Sequence, residues 1–365
     1  MRVQCSRMKW TYIFSLVISL VCFDMLGKGP GYSSHLSNVE VRSALPARIA
    51  IAIQGSAKQI DELQEVLSHM STQSDVDLFV LLYDESVNST SINAWYQWLF
   101  EPRTPLRELI YNSSTTWTTG RNMLAQAMYR EETRRRKQYK YWVFLDADMW
   151  MINCNRCPAS IAGTACCWDY FMSGVLLSSS SFATVTGSVP RSMQTILDDL
   201  SRNKSLDKTF VFSDCSDAQL QAFHRDAVPV LLPYHPDLDA KSWWSSQGIL
   251  FRFTSGCLAG SNVNLGRHFT EQQPVHTDYP RSRTQALIEA ETNIVTAHFP
   301  SISDLLTRPG LCVNQGLGEI REMVTSADLG QILHWQSTEN FQRCLSAKKD
   351  FFMEEVGMHV PPAPR

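Results

Sequence analysis

The stretch Tyr141-Trp-Val-Phe-Leu-Asp-Ala-Asp-Met-Trp150 constrains the fold more than any other. Five apolar residues run directly into Asp146-Ala147-Asp148. A short unbroken apolar run reads as a strand buried on both faces, as in a parallel α/β sheet. Both carboxylates then stand at the strand's carboxyl end, and in open α/β sheets ligands bind in the crevice outside those ends. Two hard oxygen donors there suit a divalent cation such as Mn²⁺ or Mg²⁺, which can in turn hold phosphates. The bland alternative is a polar turn after a strand, so the neighbouring segments must decide.

Upstream, Arg48-Ile-Ala-Ile-Ala-Ile53 reads as a first strand, and Gln59 to Met70 has helical spacing in Ile60, Leu63, Val66 and Leu67. Asp77 to Tyr83 reads as a second strand ending at Asp84. Strand, helix, strand is a right-handed βαβ unit. It brings Asp84 to the edge that carries Asp146 and Asp148, where it can meet a nucleoside ring or ribose. Its alternative is a solvated strand-end acid. Asn93 to Phe100 is aromatic-rich and reads as a helix packed on the sheet. Thr118 or Thr119 can cap a helix running from Met123 to Lys137. The basic run Arg134 to Lys137 suits the negative end of its dipole as a solvated terminus. Arg121 and Asn122 fall in the first turn, where backbone N–H groups and a guanidinium can hold a diphosphate.

Gly120-Arg121-Asn122-x-Leu124-Ala125, then a helix, then the strand running into Asp146-x-Asp148, resembles the core of GT-A-fold nucleotide-sugar glycosyltransferases. The resemblance spans residues 48–150 and names a superfamily rather than one family. It implies a Rossmann-like mixed, mostly parallel sheet flanked by helices. It further implies that Asp146 and Asp148 bind Mn²⁺ (or Mg²⁺) and the diphosphate of a UDP- or GDP-sugar, with nucleotide contacts from Arg121 and Asn122. Such enzymes often recruit a further metal ligand, commonly His, from the C-terminal part. His276 and His298 are the candidates here, each weighed against a structural role. Arg281 and Arg283 follow His276 and can reach a diphosphate.

The second half reads as the acceptor side. Phe171 to Leu177 reads as a strand, and Ser192 to Leu200 and Ala218 to His224 as helices. The richest stretch is Tyr234-His-Pro-Asp237-Leu-Asp239-Ala-Lys-Ser-Trp243-Trp244-Ser-Ser-Gln247. Acid followed closely by Trp resembles the acceptor loop of many GT-A enzymes. Trp243 and Trp244 can stack on sugar rings, Gln247 can bind the acceptor, and Asp239 or Asp237 can take a hydroxyl proton. The alternative is a surface turn with both Trp in the core. A retaining enzyme would need no such base. Past Pro309 no chemistry is evident.

The N-terminus bears on setting. Arg2, Arg7 and Lys9 precede an apolar run from Trp10 to Phe23, closed by Asp24 and Met25-Leu26. This reads as a signal anchor with its basic end cytosolic, a cleaved signal peptide being the rival. Asn88, Asn112 and Asn203 head glycosylation sequons. C-terminal to the anchor stand Cys154, Cys157, Cys166, Cys167, Cys215, Cys257, Cys312 and Cys344, an even number that suits disulfides in an oxidising lumen. Zinc at Cys154-x-x-Cys157 is the weaker alternative, because the adjacent Cys166-Cys167 pair is not a usual ligand spacing. With 33 Lys and Arg against 36 Asp and Glu, a general nucleic-acid footprint is excluded.

The organisation expected is therefore a cytoplasmic tail (1–9), signal anchor (10–26), stem (27–47), catalytic domain (48–345) and C-terminal tail (346–365). The catalytic domain divides into a nucleotide-binding half, 48–150, and an acceptor half, 151–345. The expected protein is a single-pass Golgi or ER membrane enzyme, or a secreted one, acting on a glycan or glycoprotein. A secreted glycoside hydrolase and a non-catalytic lumenal glycan-binding relative are the rivals.

Overall fold

The computed structural model describes residues 49–56, 76–83, 106–147, 149–151, 171–172, 175–176, 178–184, 210–213, 220–239, 241–264, 270–272, 284–308, 320–324 and 334–356. The expected tail, anchor and stem, the helices at 59–70, 93–100 and 192–200, and Asp84, Asn88, Asp148, Asn203, His276, Arg281 and Arg283 lie outside them. Among the described residues no helix is long and apolar enough to cross a membrane.

Strands β1 (Ile49–Gly55) and β2 (Val76–Leu82) are buried along their whole length, including Asp77. Both pair in parallel, Ile49 facing Val76, and β3 (Leu106–Tyr111) adds in parallel outside β2. Helix α1 (Trp117–Arg135) then leads to β4 (Tyr141–Asp146), which lies parallel to β1 on its other side. Unbroken burial of β1, β2 and β4 follows from their unbroken apolar runs, as in sheets covered on both faces.

Beyond β4 the pattern changes. The nine-stranded sheet has the order β11-β7-β9-β6-β8-β4-β1-β2-β3. Its remaining members are β6 (Phe182–Thr184), β7 (Phe210–Ser213), β8 (Leu220–His224), β9 (Asn262–Asn264) and β11 (Ile320–Val324). β8 runs antiparallel to β4 and β6, β6 parallels β9, and β7 runs antiparallel to β9 and β11. The sheet is thus all-parallel on its N-terminal side and mixed on the other. A separate two-stranded ribbon joins β5 (Met149–Met151) to β10 (Thr270–Gln272).

On the C-terminal side stand α2 (Val228–Leu231), α3 (Trp243–Cys257), α4 (Gln285–His298), α5 (Ser303–Leu306) and α6 (Glu339–Val356). Arg252 of α3 ties three of these together. Its Nη1 donates to the Leu306 carbonyl at 2.9 Å and its Nη2 to Thr292 Oγ1 at 2.8 Å. A disulfide, Cys257–Cys344, joins α3 to α6 across 87 residues of chain.

Several local expectations are corrected. Leu220–His224, expected as part of a helix, form β8 instead, because they complete the ladder on β4 and β6. Tertiary pairing overrides a short apolar spacing that fits either state. Phe171, Met172, Val175, Leu176 and Ser178 are helical, not extended. The boundary at 345 falls inside α6, which continues to Val356 and buries Lys348. The basic run is not simply solvated: Arg135 pairs with buried Asp77 at 3.1 Å and with Glu131.

Candidate active site

The site grows from the order of the strands. The chain leaves β1 for β2 and β3 on one side, then returns through α1 to β4 on the other. The crevice between the carboxyl ends of β1 and β4 is therefore the topological switch point, where open α/β sheets place ligands. Gln54 and Asp146 face each other there, and the Ala147 N–H donates to the Gln54 carbonyl at 3.1 Å.

The N-terminus of α1 closes on this crevice. Its cap is Thr116, upstream of the expected Thr118 or Thr119, in a reciprocal capping box with Thr119. Gly120 lets the helix approach β1, since a Cβ there would stand 2.7 Å from Gln54 Oε1. Gln54 Nε2 donates to the Thr116 carbonyl at 3.3 Å. One face of α1 then carries buried polar groups as well as Leu124, Ala127 and Met128. Each of those polar groups finds a partner. Thr118 reaches Asp239, Arg121 reaches Asp146, and Glu132 accepts from Arg225 and from Trp142 Nε1.

Arg121 organises the β4 end. It is 1 % exposed. Its Nη2 donates to Asp146 Oδ1 at 2.6 Å, and its Nη1 to Gln221 Oε1 at 2.9 Å and Tyr234 Oη at 3.1 Å. Its guanidinium carbon lies 4.1 Å from the Trp117 ring centre, and Trp117 Nε1 donates to the same Asp146 oxygen at 3.1 Å. Burial works to lower the Arg121 pKa, but Asp146 and the Tyr234 hydroxyl outweigh it and the net direction is upward. Burial pushes the Tyr234 hydroxyl up to about 12, against the pull of Arg121.

Arg121 and Asn122 both make contacts within the protein at this helix start. Arg121 is turned inward onto Asp146 and orients the carboxylate. Asn122 clamps the backbone of Tyr234, its Nδ2 donating to the carbonyl and its Oδ1 accepting from the N–H, both at 2.8 Å. Both side chains therefore couple the β4 end to the turn that begins at Tyr234.

That turn is the other wall. Asp239 Oδ1 accepts from the Thr118 hydroxyl at 2.6 Å, while its Oδ2 is buried with no hydrogen-bond partner among the described residues. Thr118 Oγ1 also lies 2.9 Å from Ser246 Oγ, which donates to the His235 carbonyl at 2.6 Å. Asp237 is exposed. Trp243 and Trp244 begin α3 rather than a loop. Gln247 is fully buried inside α3 and not on an accessible surface, a correction to its expected acceptor contact. Its amide atoms have no hydrogen-bond partner among the described residues. Asn112 directs Nδ2 to Met123 Sδ at 3.5 Å and accepts from Ser114 on Oδ1.

His298, the last residue of α4, joins His235 and Asp237, with Asp146 outside that cluster. Trp117, Gln54, Gln221 and His235 are participants that sequence reading did not single out, and Thr118 was read only as a candidate cap. Trp117 carried a signal in its place next to the Thr-Thr-Gly-Arg-Asn run. Gln221 carried none, because its strand is recognisable only from its partners.

A divalent cation suits the Asp146-x-Asp148 donor set, since carboxylate oxygens are hard ligands. The Arg121 cation beside Asp146 offsets part of that carboxylate's charge, so Asp148 would carry the larger share of the attraction.

No known family profile and no curated protein matches the chain. Among solved structures it is similar to a mannosyltransferase, PcManGT, from Pyrobaculum calidifontis in complex with GDP-Man and Mn²⁺. That match has 13% identity, 95% of this chain and 84% of that one covered, and a TM-score of 0.38. It is similar also to glucosyl-3-phosphoglycerate synthase from Mycobacterium tuberculosis with Mn²⁺, UDP and glucosyl-3-phosphoglycerate (15% identity, 69% and 80% covered, TM-score 0.36). A third is S. aureus TarS 1–349 with UDP (9% identity, 86% and 93% covered, TM-score 0.41). At these identities and TM-scores, any functional reading rests on this chain's own residues.

Proposed function

We propose that the chain is a metal-dependent glycosyltransferase that moves a sugar from a UDP- or GDP-sugar to a glycan or glycoprotein acceptor. The observation that carries this reading is the place of Asp146. It ends a buried central strand at the switch point, oriented by an inward arginine, with a second aspartate two residues on. Asp146 and Asp148 would hold Mn²⁺ or Mg²⁺. That ion would supply electrostatic stabilisation of a departing nucleoside diphosphate. Asp239, bonded to Thr118 in the first turn of α1, would accept the proton of the acceptor hydroxyl if the enzyme inverts.

Titration calorimetry with UDP or GDP and Mn²⁺ tests the reading. The wild type should bind the nucleotide only with the metal, and Asp146→Asn or Asp148→Asn should abolish that binding while far-UV circular dichroism is retained. A wild type indifferent to nucleotide and Mn²⁺ would return the chain to the hydrolase or glycan-binding readings.

The proposal extends to a secretory-pathway setting with an N-terminal anchor and a lumenal catalytic domain. The Cys257–Cys344 disulfide supports it, because such bonds persist in oxidising compartments. Endoglycosidase treatment should shift gel mobility. An unshifted band together with protease sensitivity on the cytosolic side would remove the setting.

A further inference from the structure

We propose that His235, Asp237 and His298 form a second metal site, separate from Asp146 and Asp148, that takes a divalent ion of the zinc class. One ligand atom from each of the three lies within 4.8 Å of the others. His235 Nδ1 and Asp237 Oδ1 are 3.7 Å apart, beyond hydrogen-bond reach. The two imidazole rings meet edge to face at 5.1 Å between centres. Tetrahedral zinc with bonds of about 2.0–2.1 Å needs donors roughly 3.3 Å apart. Small side-chain rotations would bring these three donors to that spacing.

Ligand chemistry favours zinc. Two imidazoles and one carboxylate suit zinc better than the all-oxygen sets preferred by magnesium and calcium.

Two of the three donors stand on hydrogen-bonded supports. His235 is 5 % exposed, and its carbonyl is held by Ser246 of α3. Its neighbour Tyr234 is clamped by Asn122 of α1. His298 ends α4, which Arg252 bonds to α3, and the next residue, Phe299, packs on Phe253 at 5.1 Å. Asp237 and His298 are exposed, so an ion can enter from solvent and keep a fourth position for water. Bound there, it would fasten the turn carrying Asp239 to the end of α4.

The test uses the full chain, stripped with chelator and dialysed against Zn²⁺, with metal content, thermal unfolding and the visible spectrum of a Co²⁺ substitute as readouts. The variants are His298→Ala and Asp237→Asn, both at exposed positions, with Glu289→Gln, an exposed carboxylate elsewhere on α4, as the control. The wild type and Glu289→Gln should each bind the same number of Zn²⁺ equivalents and show the tetrahedral Co²⁺ bands and a Zn²⁺-dependent rise in Tm. His298→Ala and Asp237→Asn should each lose one equivalent, the bands and the rise. Their Zn²⁺ affinity should fall by more than the ~10–100-fold that losing even an outer partner of a ligand costs. Retention of that equivalent in both variants, or its loss in Glu289→Gln as well, would overturn the proposal. A wild type that binds no Zn²⁺ would do the same. Failure of nucleotide binding with this equivalent intact would count against the transferase reading alone.

Discussion

Asp146 and Asp239 flank the same first turn of α1, yet their surroundings are opposite. The Asp146 carboxylate meets a buried guanidinium and an indole N–H that converge on one oxygen. The Asp239 carboxylate has one hydroxyl at Oδ1 and a buried Oδ2 with no hydrogen-bond partner among the described residues. A buried polar atom left so costs about 1–3 kcal/mol. Such a cost is tolerated at positions where a ligand completes the bonding. The comparison assigns Asp146 to holding and Asp239 to reacting: one group is locked before any ligand arrives, and the other keeps an oxygen for one.

Removing the lock should have the largest effect. Arg121→Met leaves Asp146 and the Gln221 carbonyl oxygen without their cation, which should cost about 3–5 kcal/mol in denaturant unfolding, the scale for breaking a buried ion pair from one side. A loss under about 1 kcal/mol would mean that Asp146 is not held by Arg121, and the contrast would collapse.

Next comes the reacting group. Asp239→Asn should lower kcat for transfer by ~10²-fold or more, the usual scale for a positioned base. Donor affinity should hardly move, because Asp239 bonds to Thr118 and makes none of the contacts that hold Asp146. An unchanged kcat would leave Asp239 as a structural tie to Thr118, or would point to a retaining mechanism.

Two smaller changes sharpen the role of α1. Gly120→Ala puts a methyl group against Gln54 and should cost about 1–3 kcal/mol by overpacking. It should also weaken nucleotide binding, since the helix start would move away from the crevice. A normal Tm with normal nucleotide affinity would show that the close approach is not required. Thr116→Ala removes one half of the capping box and should cost ~1 kcal/mol. Its effect on Tm should be similar with and without nucleotide, whereas that of Gly120→Ala should differ.

The sequence by itself determined the three central strands of the N-terminal half and the place of Asp146 at the end of one of them. Unbroken apolar runs at Ile49–Ile53, Leu78–Leu82 and Tyr141–Leu145 read as buried strands because burial on both faces removes the need for polar alternation. The strand–helix–strand order then put Asp146 at a carboxyl edge. Tertiary structure alone decided the rest. Whether Leu220–His224 would be strand or helix depended on the ladder offered by β4 and β6. Whether Arg121 would face a phosphate or Asp146 depended on how closely α1 could approach β1 and on Trp117, Gln221 and Tyr234 closing around the guanidinium. The meeting of His235 and Asp237 with His298 also came only from the docking of α4 against α3. Periodicity reports how much of an element is buried. It does not report which distant polar group will share that burial, and pairing between such groups sets the direction in which each side chain acts.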